Sequence, residues 1–148
     1  MSTLWGEPEW ANRFLVAQSA CWADVMRDLR AGHAQPRWMS FVFPQHLGLA
    51  TREIDWFYGV QDLEQAYRYA KHVMLGARLR EATAVVLQHN QAARSIFGVS
   101  GALRFRSCMT LFACATKDDS VFEQALSQFF NGTLCMATLE LLGTENTV

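Results

Sequence analysis

The sequence has almost no net charge, and this lack excludes several classes of partner. Its 148 residues carry 13 Lys and Arg against 14 Asp and Glu, mixed along the chain, for a formal net charge of −1. Binding to duplex DNA or to an anionic membrane surface depends on an excess of positive charge, so neither partner is predicted. The apolar fraction of 51% and the charged fraction of 18% indicate a globular chain, and its length suits one domain.

The cysteines and histidines lack the spacing of a metal site. No C-x-x-C, H-E-x-x-H or H-x-x-x-H pattern occurs, so neither a metal nor a cofactor is predicted. Each cysteine instead lies in an apolar, helical pattern, which predicts four free, buried thiols and a reducing compartment. These residues are Cys21, Cys108, Cys114 and Cys135, with His33, His46, His72 and His89.

Long apolar runs are also missing. No run approaches the roughly 18 residues that a membrane span requires, so no transmembrane helix is predicted. The first ten residues, MSTLWGEPEW, have neither a basic region nor an apolar region of the secretory kind. The expected location is therefore the cytoplasm. A glycine-rich phosphate loop is absent as well, which removes the P-loop class of nucleotide-binding protein.

Helical spacing is what the sequence does contain. Between Trp10 and Arg30, apolar residues recur at intervals of three or four, the period of an amphipathic helix, and Gly32 follows as a stop. No two segments show the alternation and hairpin turn of a sheet. The stop signals predict one compact all-α domain of about eight helices, several of them short, over residues 1–148. Residues 1–9 and 144–148 are predicted to be flexible ends.

Local signals place the shorter elements. RWMSFVFPQ, residues 37–45, is predicted to be a short helix or 3₁₀ turn that enters at Pro36 and ends before Pro44. Thr51 is expected to cap the next helix, and Asp62 with Gln65 forms a capping-box pattern. His72 is expected to cap the end of a helix, where the dipole favours positive charge. Two further helices are predicted on either side of Gly98, with Ser100 capping the second, and five apolar residues are assigned to the core: Leu79, Met109, Phe112, Phe122 and Leu126.

Six blocks of the sequence, in order, resemble one protein family. They are RFLVAQ (13–18), WMSFVFPQHLGL (38–49), YGVQDLEQAYRY (58–69), HVMLGARLRE (72–81), IFG (96–98) and RSCMTLFA (106–113). Together they resemble the family known as domain of unknown function 1810. The resemblance implies a mainly helical fold, and it implies no particular activity because the family has none assigned.

The chain also differs from the family pattern at several positions, which makes it a divergent member. Members usually carry Ser-His where this chain has Pro36 and Arg37, a second Trp at Ser40, Asp at Gly101 and near Cys135, Lys at Arg104, and Ser at Cys108. Most of these changes remove a polar or acidic group. If the polar positions form a reaction site, its activity is expected to be weakened here, notably because Arg37 cannot exchange a proton near neutral pH as histidine does.

One functional hypothesis is a small-molecule pocket, with or without catalysis. Aromatic residues in RWMSFVFPQ suit either the core or one wall of such a pocket. We expect Trp38 and Phe41 to stack on a ligand, Gln45 to offer its amide, and Arg78 or Arg106 to bind an anionic, nucleotide-like group. At least two of Trp38, Gln45, Arg78 and Arg106 are predicted to line one cavity. No catalytic residue is assigned, because Ser107, Cys108 and His72 lie in no recognised catalytic motif.

The alternative hypothesis is a protein-interaction module or homodimer without catalytic activity. Exposed aromatic residues would then anchor the partner, since tryptophan is enriched among the residues that dominate binding energy at interfaces. The candidates are Trp5, Trp10, Trp22 and Trp56.

Overall fold

The structure is a computed structural model, and it describes residues 6–117 and 120–145. Within those residues the chain forms seven α-helices and two short 3₁₀ helices, with no β-sheet. The all-α prediction is therefore confirmed. The helices are α1 (Glu9–Arg30), α2 (Glu53–Tyr58), α3 (Leu63–Lys71), α4 (Val73–Leu87), α5 (Ala93–Thr116), α6 (Ser120–Phe130) and α7 (Met136–Glu145), and the 3₁₀ helices are Pro36–Ser40 and Leu47–Leu49.

The longest helix, α5, is broken at Gly98. This residue has φ 78° and ψ 170°, a conformation that glycine adopts without strain. The sequence predicts two helices that meet at Gly98, and the non-helical backbone of Gly98 does separate two helical segments within α5. Counted as one element, α5 gives seven helices against the expected eight. Helix α5 packs against α3, α6 and α7.

A single core surrounds α5. Phe105 stacks on Phe97 with ring centres 4.5 Å apart, and Phe43 meets both rings edge-on at 5.1 and 5.7 Å. Such geometries add to the stabilisation that burial alone provides. All five residues assigned to the core from the sequence are buried: Leu79, Met109, Phe112, Phe122 and Leu126. Among the described residues, no helix combines the length and the apolar character needed to cross a bilayer.

The helix caps are partly as predicted. The Asp62 side chain accepts a hydrogen bond from the Gln65 amide at 2.8 Å, at the start of α3. Thr51 is not a cap: α2 begins at Glu53, the residue before it is Arg52, and no side chain caps it. The predicted position of His72 at the C-terminal cap of α3 is confirmed: its backbone amide donates to the carbonyls of Arg68 and Tyr69 at 2.9 and 3.2 Å. His72 also caps the beginning of α4, where its Nδ1 accepts from the amides of residues 74 and 75, each at 3.1 Å.

Two histidines bind glutamates near opposite ends of the described chain. His72 Nε2 lies 2.9 Å from a carboxylate oxygen of Glu7, and His46 Nε2 lies 2.6 Å from one of Glu145. His46 Nδ1 accepts from the Gly48 amide at 2.9 Å, so in both neutral rings the proton is on Nε2 and is donated to the glutamate. Of the ends predicted to be flexible, residues 1–5 and 146–148 lie outside the described residues.

Candidate functional site

A cleft of about 360 Å³ lies between the second half of α5, the start of α7 and the loop that precedes α2. We call it the Gln45–Arg106 cleft, and it is lined by Gln45, Leu49, Thr51, Asp55, Ser100, Leu103, Arg104, Arg106, Ser107, Cys135 and Ala137. An adjoining cleft of about 480 Å³ shares Thr51, Ser100 and Arg104 with it and extends toward Pro36 and Gly101.

Gln45 is held at the rim of the cleft by backbone pairing. The preceding residues Phe43 and Pro44 are buried, which fixes the direction in which the chain enters the loop. The Gln45 carbonyl accepts from the Val60 amide at 3.0 Å, and the Leu47 amide donates to the Val60 carbonyl at 2.7 Å. The Gln45 side-chain amide makes no hydrogen bond to any residue in the described part of the chain. It is therefore available to donate to, or accept from, a ligand.

Arg106 supplies an unpaired positive charge to the same cleft. Its guanidinium lies over the ring of Phe130, 5.8 Å from the ring centre. Its Nε atom is buried and has no hydrogen-bond partner, and within residues 6–117 and 120–145 the side chain forms no ion pair. A buried N–H without a partner costs free energy.

A second arginine of the cleft, Arg104, already has a carboxylate partner, although its Nε is also buried without a hydrogen bond. It donates to Asp55, which is 5% exposed and also accepts from Arg52 at 3.0 Å and from the Ser40 hydroxyl at 3.0 Å. Burial alone would raise the pKa of Asp55, but the hydrogen bonds from Arg52 and Arg104 lower it below the usual value. Across both clefts, three guanidinium groups face one carboxylate, so the joined surface is positive overall.

Cys135 forms the polar end of the cleft, immediately before the first residue of α7. Its sulfur lies 3.3 Å from the Ser107 hydroxyl, and its own amide donates to the Thr110 hydroxyl at 2.9 Å. Burial acts to raise the pKa of this thiol. The interactions with Ser107 and Thr138 and the charge of Arg106 outweigh burial and lower the pKa below the ordinary value for cysteine.

The structure brings two of the sequence-predicted ligand residues together and separates the other three. Gln45 and Arg106 line one cleft, as the prediction that two of four share a cavity requires. Trp38 is 1% exposed and its ring has no face open to a ligand, so its expected stacking role is wrong. Phe41 is half-buried beside Tyr58, with ring centres 5.4 Å apart, and belongs to the packing around the core.

Arg78 lies in a separate polar cluster. It donates to the Gln18 side chain at 3.4 Å and to the Ser19 hydroxyl at 3.3 Å, and it lies over the ring of Trp22. Its partners are therefore protein groups. Sequence reasoning missed Asp55 and Cys135 as residues of the cleft. The signal that could have identified Cys135 is its position at the start of a helix, where amide groups stabilise a thiolate.

Most of the departures from the family pattern meet at the two clefts. Gly101 and Pro36 line the adjoining cleft, Arg104 lines both, and Cys135 lines the Gln45–Arg106 cleft. Arg37 does not: it is exposed, lines neither cleft, and its charge acts on Cys21. The expectation that Arg37 deprives the pocket of a proton-transfer group is therefore wrong for this cleft, since Arg37 lines no part of it.

Comparison with known proteins places the chain in a family. No curated protein matches it. The crystal structure of the conserved hypothetical protein Rv1873 from Mycobacterium tuberculosis is similar over 88% of this chain and 94% of its own, with 39% sequence identity and a TM-score of 0.86. The family model described as "Protein of unknown function (DUF1810)" matches residues 9–142. The chain therefore belongs to the DUF1810 family.

Proposed function

We propose that the Gln45–Arg106 cleft binds a small organic molecule that carries an anionic group, such as a carboxylate or a phosphate. The observation that carries the proposal is Arg106, which lines the cleft and whose buried Nε has no partner among the described residues. Removing an arginine N–H from water without a partner is unfavourable, and an anion is the partner that suits it best.

The neighbouring groups favour an anion with a small polar body. Gln45 offers an amide that can both donate and accept, and Ser107 offers a hydroxyl. Arg104 is neutralised by Asp55, so Arg106 is the arginine whose charge is left for a ligand. The cleft volume of about 360 Å³ lies at the lower end of the range typical of small-molecule sites.

The residues that line the cleft favour a narrower class of ligand than the one expected from the sequence. A nucleotide-like ligand was expected to stack on Trp38 and Phe41, but neither residue lines the cleft. The apolar wall is aliphatic and is formed by Leu49, Leu103 and Ala137. We therefore propose an aliphatic anion rather than a base-stacked nucleotide. An altered activity relative to other members would arise from departures that line the clefts, such as Cys135.

Titration with anions tests the proposal. Thermal-shift and calorimetric measurements would compare inorganic phosphate, pyrophosphate, citrate and short dicarboxylates on the wild-type protein and on Arg106→Gln. A ligand at 100 times its Kd adds about 2.7 kcal/mol of stability, so a specific anion gives a clear shift. We expect at least one anion to stabilise the wild type and to lose that effect in Arg106→Gln.

The matched control is Arg94→Gln. Arg94 is exposed on the same helix and lines neither cleft. The Arg94→Gln substitution removes the same charge from the chain without altering the site. The response of this variant to the anion should therefore equal that of the wild type. Stabilisation that is lost equally in both variants would reveal nonspecific charge attraction and would contradict the proposal.

A second candidate function, homodimer formation, is favoured by the exposed face of α2. Ile54, Trp56 and Phe57 are 41%, 58% and 52% exposed on this one short helix. Of the other tryptophans predicted as anchors, Trp10 and Trp22 pack against the core, and Trp5 lies outside the described residues. Sedimentation of the wild type against Trp56→Glu tests this candidate, since a monomeric wild type at micromolar concentration would reject it.

A further inference from the structure

We propose that Cys135 is a nucleophilic thiol that attacks small electrophiles entering the Gln45–Arg106 cleft. The inference goes beyond anion binding, since it concerns bond formation at the sulfur and does not require that the electrophile be charged. Three observations carry it: the fixed position of the residue, the groups around the sulfur, and the contrast with the other cysteines.

The position of Cys135 is fixed by its backbone. Its amide donates to the Thr110 hydroxyl at 2.9 Å, and its carbonyl accepts from the Leu139 amide at 3.2 Å as the first intrahelical bond of α7. Cys135 is therefore the N-cap residue, whose side chain lies beside the unpaired amides at the positive end of the helix dipole. A rigid nucleophile requires less ordering when an electrophile arrives.

Polar groups surround the sulfur on the protein side. The Ser107 hydroxyl lies 3.3 Å from the sulfur and 3.0 Å from the Leu103 carbonyl, so its single proton can turn from the carbonyl toward a thiolate. Thr138 is fully buried beside Cys135, and its hydroxyl oxygen makes no hydrogen bond of normal geometry within the described residues. Its backbone amide also stabilises negative charge on the sulfur.

The unpaired Nε of Arg106 is a further sign of a ligand at the same place. It is buried in the wall that Arg106 shares with Ser107 and Cys135, and no described residue satisfies it. Arg106, Ser107 and Cys135 thus line one open volume. An isolated buried cysteine has no such surroundings.

The other three cysteines differ in chemistry. Burial raises the pKa of Cys21, Cys108 and Cys114, so each stays a protonated thiol near neutral pH. Cys108 is completely buried, while Cys21 and Cys114 are more exposed than Cys135, which is 8% exposed. Exposure alone therefore predicts that Cys21 and Cys114 react first, whereas thiolate character predicts Cys135. The two explanations give opposite orders of reaction.

The reaction is a displacement at carbon. The thiol first loses its proton to solvent, and the thiolate then attacks an sp³ carbon that bears a leaving group. One S–C bond forms as the bond from carbon to the leaving group breaks, and the leaving group departs with the bonding pair. With iodoacetamide as the probe, the products are S-carbamidomethyl Cys135 and iodide, and no oxidant or reductant is needed.

The test is the rate of alkylation at each cysteine of the full-length native protein. Limiting iodoacetamide at pH 7 would be quenched at intervals and the peptides quantified by mass spectrometry. We expect Cys135 to react at least about fivefold faster than Cys21 or Cys114, since the thiolate is the reactive form. Ser107→Ala, which removes the hydroxyl donor, should slow Cys135 alone. Modification of Cys21 or Cys114 ahead of Cys135 would overturn the proposal.

A second reagent separates this inference from anion binding. Iodoacetate undergoes the same reaction but carries a carboxylate, so its rate relative to iodoacetamide reports attraction by Arg106. A ratio that falls in Arg106→Gln but not in Arg94→Gln supports both proposals. An unchanged ratio with Cys135 still fastest supports the nucleophilic thiol and counts against the anion site.

Discussion

Two regions of the molecule each contain a glutamine amide, an arginine and a hydroxyl. Among the described residues, the amide and the arginine form hydrogen bonds within the protein in the first region but not in the second. In the first region, Gln18 is 1% exposed and every polar atom of its side chain is used. Its Nε2 donates to the Phe41 carbonyl at 2.8 Å and to the Tyr69 hydroxyl at 3.0 Å. Its Oε1 accepts from Arg78. Burial raises the pKa of Tyr69, which keeps this hydroxyl protonated.

The second region is the Gln45–Arg106 cleft, where the side-chain amide of Gln45 and the guanidinium of Arg106 make no hydrogen bond or ion pair with the described residues. The comparison shows why residue type alone cannot identify a binding site. Amide and guanidinium groups that satisfy one another stabilise the fold, because leaving either unpaired in the interior is costly. The same groups facing open volume without partners can bind a ligand.

The largest effect on stability is expected from a substitution that creates a cavity beside Tyr69, in the first region. Phe112 is completely buried, with its ring centre 5.2 Å from that of Tyr69. Phe112→Ala should lower the free energy of unfolding by about 3–5 kcal/mol, because it leaves a cavity that the packed helices cannot fill. Urea unfolding measures it, with the exposed Phe57→Ala as a control that should cost about 1 kcal/mol or less. Equal losses in the two variants would contradict the buried assignment.

The next effect concerns the part of the cleft that is already paired. Asp55→Asn should lower the free energy of unfolding by about 2–3 kcal/mol at pH 7, because Arg104 keeps its charge and loses its carboxylate partner. The pKa of Asp55 is lowered in the folded protein, so its contribution is complete above the ordinary carboxyl range, near pH 4, and is lost as the pH falls through the folded pKa.

Denaturant titrations at a series of pH values check this expectation. The difference in stability between the wild type and Asp55→Asn should be largest near neutral pH and should shrink in acid, where Asp55 is protonated. A difference that stays constant down to the acid limit would mean that the charge of Asp55 contributes nothing. Asp55 would then stabilise the fold only through uncharged hydrogen bonds, as Gln18 does in the first region.

The smallest effect comes from making one substitution in both regions. Gln18→Ala should cost about 1–3 kcal/mol, since it leaves the Tyr69 hydroxyl and the Phe41 carbonyl without partners. Gln45→Ala should change stability by less than about 0.5 kcal/mol, because its side chain has no partner to abandon. Thermal and urea unfolding of the two variants measure the contrast. Similar losses of stability at both positions would show that the Gln45 side chain also has partners within the protein.

Much of the fold was predictable because its signals are local. The apolar spacing of α1 and the capping pattern of Asp62 depend on residues within one or two turns. The break at Gly98 is local in the same way, because glycine adopts a positive φ without strain. Local signals are incomplete where one residue serves two elements: Lys71 ends one helix and Val73 begins the next, and His72 caps both. The cap predicted at Thr51 is wrong, because α2 begins at Glu53, two residues later.

The site was only partly predictable, for a different reason. Gln45 and Arg106 line one cleft, as predicted, yet Arg78, of the same residue type as Arg106, lies in the hydrogen-bonded cluster around Gln18. Whether an arginine is satisfied depends on residues distant in sequence, such as Gln18 for Arg78 and Asp55 for Arg104. Cys135 is the clearest case: its thiol is altered by groups from α5 and α7, which only the packing of the two helices brings together.

Helix α7 would couple ligand binding in the cleft to the stability of its own packing. Its first turn follows Cys135, and its last residue, Glu145, binds His46, the neighbour of Gln45, and accepts from the Leu63 amide at 2.9 Å. One helix therefore connects both sides of the cleft and the start of α3. A molecule that contacts both Gln45 and Cys135 would make local unfolding of α7 less favourable. By reciprocity, breaking the contacts of Glu145 would lower the affinity for that molecule.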